Sequence, residues 1–187
     1  MTTLQTYSWG DESLPTIFCI HGWASNAHVF KPLADLFKDR FRFIAVDLPG
    51  FGNSECADAQ QAYEINHLID ALLEAAPENC TWLGWSLGGM LAIQAAARAP
   101  SRVKNVMTLC SNAKFVADKK WKQGVPQPLF DGFMESVDDV RLTLRRFAAL
   151  TVVGEQKDML VSLKWLQQNT QIPAPSSDVL RHSLALL

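Results

Sequence analysis

Four short apolar runs divide the first 111 residues of the chain, and each of them ends at a glycine or a serine. Within each run the apolar residues are mostly continuous rather than alternating with polar ones. This pattern is typical of parallel strands that helices cover on both faces of the sheet. We therefore predict strands within residues 16–22, 41–50, 80–86 and 103–111.

Between these runs, apolar residues recur at the three- and four-residue spacing of an amphipathic helix. Segments 28–39 and 62–77 carry this spacing, and segment 87–100 is rich in small residues and stops at Pro100. Strands alternating with helices predict an α/β fold, with a mostly parallel sheet flanked by helices. In such sheets, reactive groups gather at the carboxyl ends of the strands.

The pattern changes after Ser111, because residues 114–175 contain no strand-like run. We predict a helical lid here. Its segment 136–153 begins with serine and aspartate residues suited to a helix N-terminus. Segment 123–132, with its prolines and glycines, is expected to form a turn. The expected organisation is a core over residues 1–113, a lid over 114–175 and the start of a return to the core over 176–187.

Composition narrows the class of protein. Of the 187 residues 48% are hydrophobic and 19% are charged, as in a soluble one-domain protein. A net charge of -2 gives no global positive field for nucleic acid. No apolar run reaches the length of a membrane span, and the start of the chain lacks the pattern of a secretory signal. The four cysteines lack the spacing of metal ligands. We expect a cytoplasmic protein with reduced thiols that binds no metal, nucleic acid or membrane.

The stretch TWLGWSLGGM, residues 81–90, places Ser86 between a predicted strand and a predicted helix. With Gly84 and Gly88 it forms the pattern Gly-x-Ser-x-Gly, which in this context is typical of a nucleophile elbow. Glycines two residues to either side let a tight turn pass the neighbouring backbone. The Leu87 N–H is then free to stabilise an oxyanion. Outside this context, the same pattern is a glycine-rich turn with an ordinary serine.

A second oxyanion donor is expected from the loop after a neighbouring strand. His21, Gly22 and Trp23 follow the first predicted strand, and Gly22 lets this loop approach Ser86 closely. We predict that the Trp23 N–H is the second donor and that its ring lines an acyl pocket. The alternative is that Trp23 is only a core aromatic. We interpret His21 as a buried structural histidine, because a base beside the oxyanion donors is badly placed to activate Ser86.

Three motifs in this order and spacing resemble the α/β-hydrolase superfamily: HGWASNAHVF (21–30), VDLPGFGNS (46–54) and WLGWSLGGM (82–90). More narrowly, they are similar to those of the pimeloyl-[acyl-carrier protein] methyl ester esterases of biotin synthesis. Many hydrolases share the first two motifs, whereas the tryptophans that flank Gly84 discriminate better. The resemblance runs from about residue 16 to residue 187 and weakens in the lid. It implies the α/β-hydrolase fold with a helical lid insertion.

The resemblance also implies roles for individual residues. Ser86 becomes the nucleophile, and the amides of Trp23 and Leu87 become the oxyanion hole. In the lid, RFAALT (146–151) resembles the stretch that lines the substrate pocket in this family. The expected substrate-binding residues are Trp23, Ser86 and Leu87 in the core and Phe147, Ala148, Ala149, Leu150 and Thr151 in the lid. From the pattern alone, Phe147 is equally well a core residue of its helix.

Basic residues of the lid are candidates for docking an acidic partner. The family docks an acyl carrier protein on such residues, and guanidinium groups suit carboxylate and phosphate partners. The resemblance therefore implies an acyl carrier protein as partner and Arg141, Arg145, Arg146 and Lys157 as docking residues. Arg141 and Arg145 share a helix face, whereas Arg146 points elsewhere. The alternative is an ordinary solvated helix face, because acidic residues nearly balance the basic ones in the lid.

The sequence offers no convincing base for Ser86. Hydrolases of this fold place the catalytic triad in the order serine, acid, histidine, and only His182 follows Ser86. Asp178 lies four residues before His182, so we expect the two to pair with each other on one helix. His28 and His67 are expected at the surface. The resemblance then implies an N-terminal portion of a longer esterase, without its last strands, its triad acid and its histidine.

This expectation has consequences for the chain as given. Residues 103–111 would form an exposed apolar sheet edge, which favours association. Without a base, the chain would hydrolyse esters at a negligible rate.

The expected function is that of a serine carboxylesterase without metal or organic cofactor. Ser86 would attack an ester carbonyl and form an acyl-enzyme that water hydrolyses. The resemblance implies the methyl ester of pimeloyl-acyl carrier protein as substrate. One alternative is a small-molecule esterase or C–C hydrolase of the same fold. Another is a non-catalytic binding module in which Ser86 is a relic.

Overall fold

The computed structural model describes residues 3–112, 114–153 and 158–187. Five strands form one sheet in the order β1-β3-β2-β4-β5. Strand β1 is antiparallel to β3, and the other neighbours are parallel. The strands are β1 Thr6–Trp9, β2 Thr16–Ile20, β3 Arg42–Val46, β4 Cys80–Trp85 and β5 Val103–Leu109. The predicted mostly parallel sheet is confirmed. Strand β1 escapes the sequence analysis because its four residues alternate and are only partly buried.

Helices flank the sheet, as the spacing of apolar residues predicts. A short 3₁₀ helix at Ala27–Phe30 leads into the first α-helix. The α-helices are α1 Lys31–Phe37, α2 Ala59–Ala62, α3 Ile65–Ala75, α4 Leu87–Arg98, α5 Gln127–Ser136, α6 Val140–Thr151, α7 Met159–Asn169 and α8 Ser177–Leu184.

Alternate side chains of the central strands enter two cores on opposite faces of the sheet. Phe18 and Ile20 of β2 belong to the larger core, which also contains buried residues of α3, α4 and α8. Ile17 and Cys19 of the same strand belong to the smaller core, together with Ala34 of α1. This two-sided burial explains why the strand sequences are continuously apolar.

The segment after β5 is helical, but its helices differ from the expectation in one place. The turn predicted over 123–132 is wrong in its second half, because α5 begins at Gln127. Pro128 lies in the first turn of α5, where its missing N–H has no intrahelical acceptor and its fixed φ suits the helix. The proline that signals a turn in the sequence therefore begins a helix.

Strand β5 is an edge of the sheet among the described residues. Its side chains Met107 and Leu109 are 41% and 45% exposed. The exposed edge expected from the sequence is therefore present, and the association that it favours stays a prediction.

Candidate active site

Ser86 lies at the turn between β4 and α4 with φ 51° and ψ -119°. A positive φ is unfavourable for a residue with a Cβ atom, so the turn must be held by its surroundings. The Ser86 N–H donates to the carbonyl of Leu109 at 2.9 Å. The Ser86 carbonyl accepts from the Gly89 N–H at 2.9 Å and from the Ser111 hydroxyl at 2.8 Å. Backbone contacts on both sides thus fix the unusual conformation.

The flanking glycines are required by close packing of backbone on backbone. A Cβ atom added at Gly84 would lie 2.2 Å from the carbonyl oxygen of Gly88. A Cβ atom added at Gly88 would lie 2.0 Å from the carbonyl oxygen of Ile20 in β2. Both distances are far below van der Waals contact, so β4, α4 and β2 can meet in this way only with glycine at these positions.

The loop after β2 reaches Ser86 through Gly22. A Cβ atom added at Gly22 would lie 3.1 Å from the Cβ of Ser86 and 3.0 Å from the ring of Trp85. The next residue is Trp23. Within the described residues, neither the Trp23 N–H nor the Leu87 N–H donates a hydrogen bond. Leu87 is the first residue of α4, where an N–H has no acceptor within the helix. Both amides are therefore available to a ligand beside Ser86.

Ser86 borders a cavity of about 300 Å³ between the sheet and the helices that follow β5. Its walls come from the β2, β4 and β5 ends, from α5 and α6, and from the end of the chain. The lining residues are Trp23, Trp85, Ser86, Cys110, Phe115, Val125, Leu129, Phe130, Phe133, Phe147, Leu150, Thr151, Leu184 and Leu187. The surface next to the Ser86 hydroxyl is therefore almost wholly apolar.

Trp23 joins the core to the helices above it. Its ring meets the ring of Phe147 at 5.0 Å and that of Phe133 at 6.0 Å, both nearly perpendicular. Its indole N–H donates to the Leu180 carbonyl of α8 at 3.0 Å. At 1% exposure Trp23 is a core aromatic, and it also forms part of the cavity wall. The sequence leaves open whether the Trp23 ring lines a pocket or belongs only to the core. In the structure the ring does both.

The five lid residues proposed for substrate contact divide by helix face. Phe147, Leu150 and Thr151 line the Ser86 cavity, and their spacing of three and four residues places them on one face of α6. Ala148 is buried at 2% exposure and does not border the cavity. Ala149 lines a separate outer groove between α5 and α6. The structure thus brings three of these five residues to Ser86.

The basic candidates lie away from Ser86. Arg141, Arg145 and Arg146 are all exposed on α6. Among the described residues none of the three forms an ion pair. Arg146 borders the outer groove together with Ala149. Lys157 lies outside the described residues. Docking by these residues stays a prediction.

His21 is held as a neutral structural histidine, as the sequence analysis proposes. It is fully buried. Its Nε2 accepts from the Leu48 N–H at 3.0 Å, so its Nδ1 carries the proton and donates to the Gly22 carbonyl at 2.7 Å. Burial lowers the pKa of His21, and this effect outweighs the bond to Gly22 and the charge of Asp47. Both ring nitrogens are occupied, so His21 cannot take a proton from Ser86.

The other three histidines do not line the cavity described here either. His67 is exposed, and His28 is partly exposed and packs against the ring of Tyr7. The Nδ1 of His182 lies 2.9 Å from the backbone carbonyl oxygen of Asp178. The expected pairing of these two side chains is replaced by this contact to the helix backbone.

The second motif supports the loops below the site through Asp47, which is fully buried. Its carboxylate accepts from the N–H of Ala27 at 2.7 Å, the N–H of Asn53 at 2.9 Å and the hydroxyl of Tyr7 at 3.2 Å. A Cβ atom at Gly52, where φ is +54°, would lie 2.1 Å from this carboxylate. Asp47 therefore stabilises the fold beneath the site.

Sequence analysis misses several cavity residues. Phe130 and Phe133 come from α5, which the prolines disguise as a turn. Leu184 and Leu187 come from the end of α8, where the apolar spacing is short. The signal that could have found Phe130 and Phe133 is their three-residue spacing, which is typical of one face of a helix.

The described residues contain no cluster of histidine, cysteine, aspartate or glutamate side chains that could hold a metal ion. None of their helices is both long enough and apolar enough to cross a membrane.

Comparison with known proteins gives consistent matches. Residues 15–173 match the family described as alpha/beta hydrolase fold. The pimeloyl-[acyl-carrier protein] methyl ester esterase of Photobacterium profundum is 38% identical over 169 residues, which are 90% of this chain and 65% of that protein. The protein of the same name from Vibrio campbellii is 33% identical over 186 residues, 100% of this chain and 71% of that protein. The chain thus spans about two thirds of the length of these curated relatives.

Solved structures show the same fold. An esterase from Exiguobacterium antarcticum matches with a TM-score of 0.81 at 20% identity, covering 100% of this chain and 73% of that one. A hydrolase from Oleispira antarctica matches with a TM-score of 0.80 at 13% identity, covering 99% of this chain and 69% of that one.

Proposed function

The chain belongs to the alpha/beta hydrolase fold family, and on this basis we propose that Ser86 is the nucleophile of a carboxylic ester hydrolase. One observation supports the proposal above all others. A serine held at positive φ at the end of a central strand borders an apolar cavity, with two unpaired amides nearby. Such strain persists only where surrounding structure maintains it, and it is concentrated at functional sites.

In the proposed reaction, the Ser86 Oγ attacks the carbonyl carbon of a methyl ester. The carbonyl oxygen becomes an oxyanion that the N–H groups of Trp23 and Leu87 stabilise, at the 2.7–3.1 Å typical of such donors. Collapse of this intermediate releases methanol and leaves an acyl group on Ser86. Water then hydrolyses the acyl-enzyme and gives the free acid.

The proposed substrate is the methyl ester of a pimeloyl group on an acyl carrier protein. Two features support it: relatives with this name at 33–38% identity, and a cavity whose walls suit an apolar acyl chain. The exposed arginines of α6 would bind the acidic carrier. We place the reaction in biotin synthesis in the cytoplasm, as the sequence resemblance implies.

The proton of the Ser86 hydroxyl needs an acceptor. None of the four histidines, all of them described, lines the cavity, and both ring nitrogens of His21 are occupied. Ester hydrolysis by the 187-residue chain alone should therefore be slow. A base that reaches the open cavity should accelerate it through Ser86.

The test uses methyl pimeloyl-acyl carrier protein as substrate, with imidazole as the added base. The mass of the carrier protein reports loss of the methyl group. We expect imidazole to raise the rate with the native chain well above the rate with imidazole alone, and Ser86→Ala to abolish this gain. Equal rates with the native and Ser86→Ala chains would contradict the nucleophile. Equal use of methyl pimelate without the carrier would favour a small-molecule esterase.

A second candidate is a binding module of the same fold in which Ser86 does no chemistry, and it is supported by a cavity that none of the four histidines of this chain lines. The module would bind acylated carrier without changing it. It is favoured if the chain binds methyl pimeloyl-acyl carrier protein and imidazole gives no gain that depends on Ser86.

A further inference from the structure

The Ser86 cavity is bordered by no lysine, arginine, histidine, aspartate or glutamate within the described part of the chain. Charged groups of the surrounding elements are directed elsewhere. Arg181 of α8 pairs with Asp138 at 2.8 Å, and Arg146 of α6 borders the outer groove instead. Among the described residues, no positively charged side chain borders the cavity and could pair with a bound anion.

The proposed reaction changes the charge of the group beside Ser86. The ester R–CO–OCH₃ and one water give R–COO⁻, methanol and a proton, so a neutral end becomes an anion. Burying an ionised carboxylate without a partner is strongly unfavourable, because the site replaces the water around it with apolar side chains.

Two features of the site favour an anion, but each stabilises it less than the loss of surrounding water destabilises it. Helix α4 begins directly after Ser86, and the N–H groups of Trp23 and Leu87 donate no hydrogen bond among the described residues. A helix N-terminus stabilises a nearby negative group only weakly. The amides can bind one oxygen, but the second carboxylate oxygen would face the apolar wall, which includes Trp23 and Phe147. Desolvation therefore decides the balance.

We infer that the Ser86 cavity accepts the neutral ester end of an apolar acyl chain and rejects the ionised carboxylate, so that hydrolysis itself expels the product. This inference rests on the proposed function, because it assigns the ester carbonyl to Ser86. It adds a rule of specificity: of two acyl chains of equal length, the cavity binds the one whose end is uncharged.

Binding of two matched ligands tests this rule without any turnover. Methyl heptanoate and heptanoate share the same seven-carbon acyl chain and differ in charge at neutral pH. Isothermal titration calorimetry on the native chain should give a dissociation constant at least about 10-fold higher for heptanoate. A Ser86→Ala chain, which cannot form an acyl-enzyme, should show the same preference.

A charge placed on the cavity wall should remove much of the preference. Thr151 is exposed at the end of α6 and borders the cavity, so Thr151→Lys can present an ammonium group there. We expect Thr151→Lys to bind heptanoate about 10-fold more tightly than the native chain does. Thr151→Met, of similar length but neutral, should keep the native preference and so separates charge from size.

The outcomes distinguish this inference from the proposed function. Tight ester binding with equally tight carboxylate binding would overturn the charge rule and leave the ester site standing. No binding of either ligand would overturn both. Improved heptanoate binding in Thr151→Met as well as in Thr151→Lys would show that size, not charge, sets the preference.

Discussion

The turn around Ser86 and the helices after β5 face each other across one cavity, but they are built in opposite ways. At the turn, glycines lie in backbone contact, and the serine is held by hydrogen bonds with Leu109 at the end of β5, with Ser111 just after it and with Gly89 of α4. In the helical segment, apolar side chains remain open to solvent: Val153, Leu160 and Val161 are 73%, 74% and 68% exposed. Helices α5 and α7, described in full, contain no buried residue.

This contrast shows that the wall of the cavity at Ser86 is rigid and that the helices after β5 are held less firmly. The turn around Ser86 cannot change shape without moving the sheet, so it holds the hydroxyl and the neighbouring amides in place. Helices α5 and α7 contain no fully buried residue and therefore have less to lose by moving. In the proposed function, an acyl chain delivered by a second protein would need both properties.

The largest effect is expected from a methyl group added at the turn. Gly88→Ala places a Cβ atom 2.0 Å from the Ile20 carbonyl, so β2 and α4 must separate. The free energy of unfolding, measured in urea, should fall by about 3 kcal/mol or more, or the chain should fail to fold.

Gly132→Ala in α5 is the matched control. A Cβ atom at Gly132 would meet no atom within 4 Å, and alanine favours a helix. The same measurement should show a gain of about 0.5–1 kcal/mol. Similar losses at both positions would contradict the contrast between the two regions.

The next largest effect concerns His21. His21→Ala leaves the Leu48 N–H and the Gly22 carbonyl without their buried partner. The free energy of unfolding should fall by about 2–4 kcal/mol. His182→Ala, at a partly exposed position, should change it by no more than about 0.5 kcal/mol. A neutral His21→Ala substitution would be inconsistent with a structural role.

His21 also gives the fold a pH dependence. Its pKa in the folded chain lies below the ordinary value of 6.5 because the ring is buried, so the unfolded chain binds a proton first. The stabilisation is therefore complete above about pH 6.5 and is lost as the pH falls below that value. NMR of the imidazole nitrogens should show the His21 ring still neutral at about pH 6 in the folded chain. A ring that titrates with its ordinary pKa would refute the effect.

A smaller effect is expected at the junction of the two regions. Trp23→Phe keeps an aromatic ring but removes the indole donor to the Leu180 carbonyl, so unfolding should become easier by about 1 kcal/mol. Amide hydrogen exchange should rise in α8 and remain unchanged in β4. Trp165→Phe in α7 is the control, and it should leave exchange in α8 unchanged.

The smallest effect is expected at the surface. Arg145→Glu on α6 should weaken binding of an acyl carrier protein by about 3- to 10-fold at low salt, and the difference should shrink as salt rises. Lys104→Glu on the exposed edge strand makes the same change of charge elsewhere. Equal losses for both variants would indicate a general effect of net charge and no docking surface on α6.

The sequence predicts the two regions unequally well, for physical reasons. Around Ser86 the structure depends on local backbone geometry, and glycines at fixed spacing record that geometry in the sequence. The strands β2, β3 and β4 are also marked, because burial on both faces makes them continuously apolar. The helix α5 is not marked in this way, because a proline such as Pro128 is equally suited to a β-turn and to the first turn of a helix.

Contacts between distant segments are harder to predict. The bond from Trp23 to Leu180 joins residues 157 positions apart, and no local pattern encodes it. The division of Phe147 to Thr151 between cavity, core and outer groove follows from the rotation of α6 about its own axis, which depends on how the helix packs against its neighbours.

In the proposed reaction, the Ser86 hydroxyl is an accessible nucleophile beside two amides that donate no hydrogen bond among the described residues. Reaction of the folded chain with a fluorophosphonate in the presence of imidazole, followed by peptide mapping by mass spectrometry, tests this property. We expect one adduct, on Ser86, that forms faster in the folded chain than in the urea-unfolded chain. An unmodified Ser86, or serines labelled at equal rates whether the chain is folded or unfolded, would contradict it.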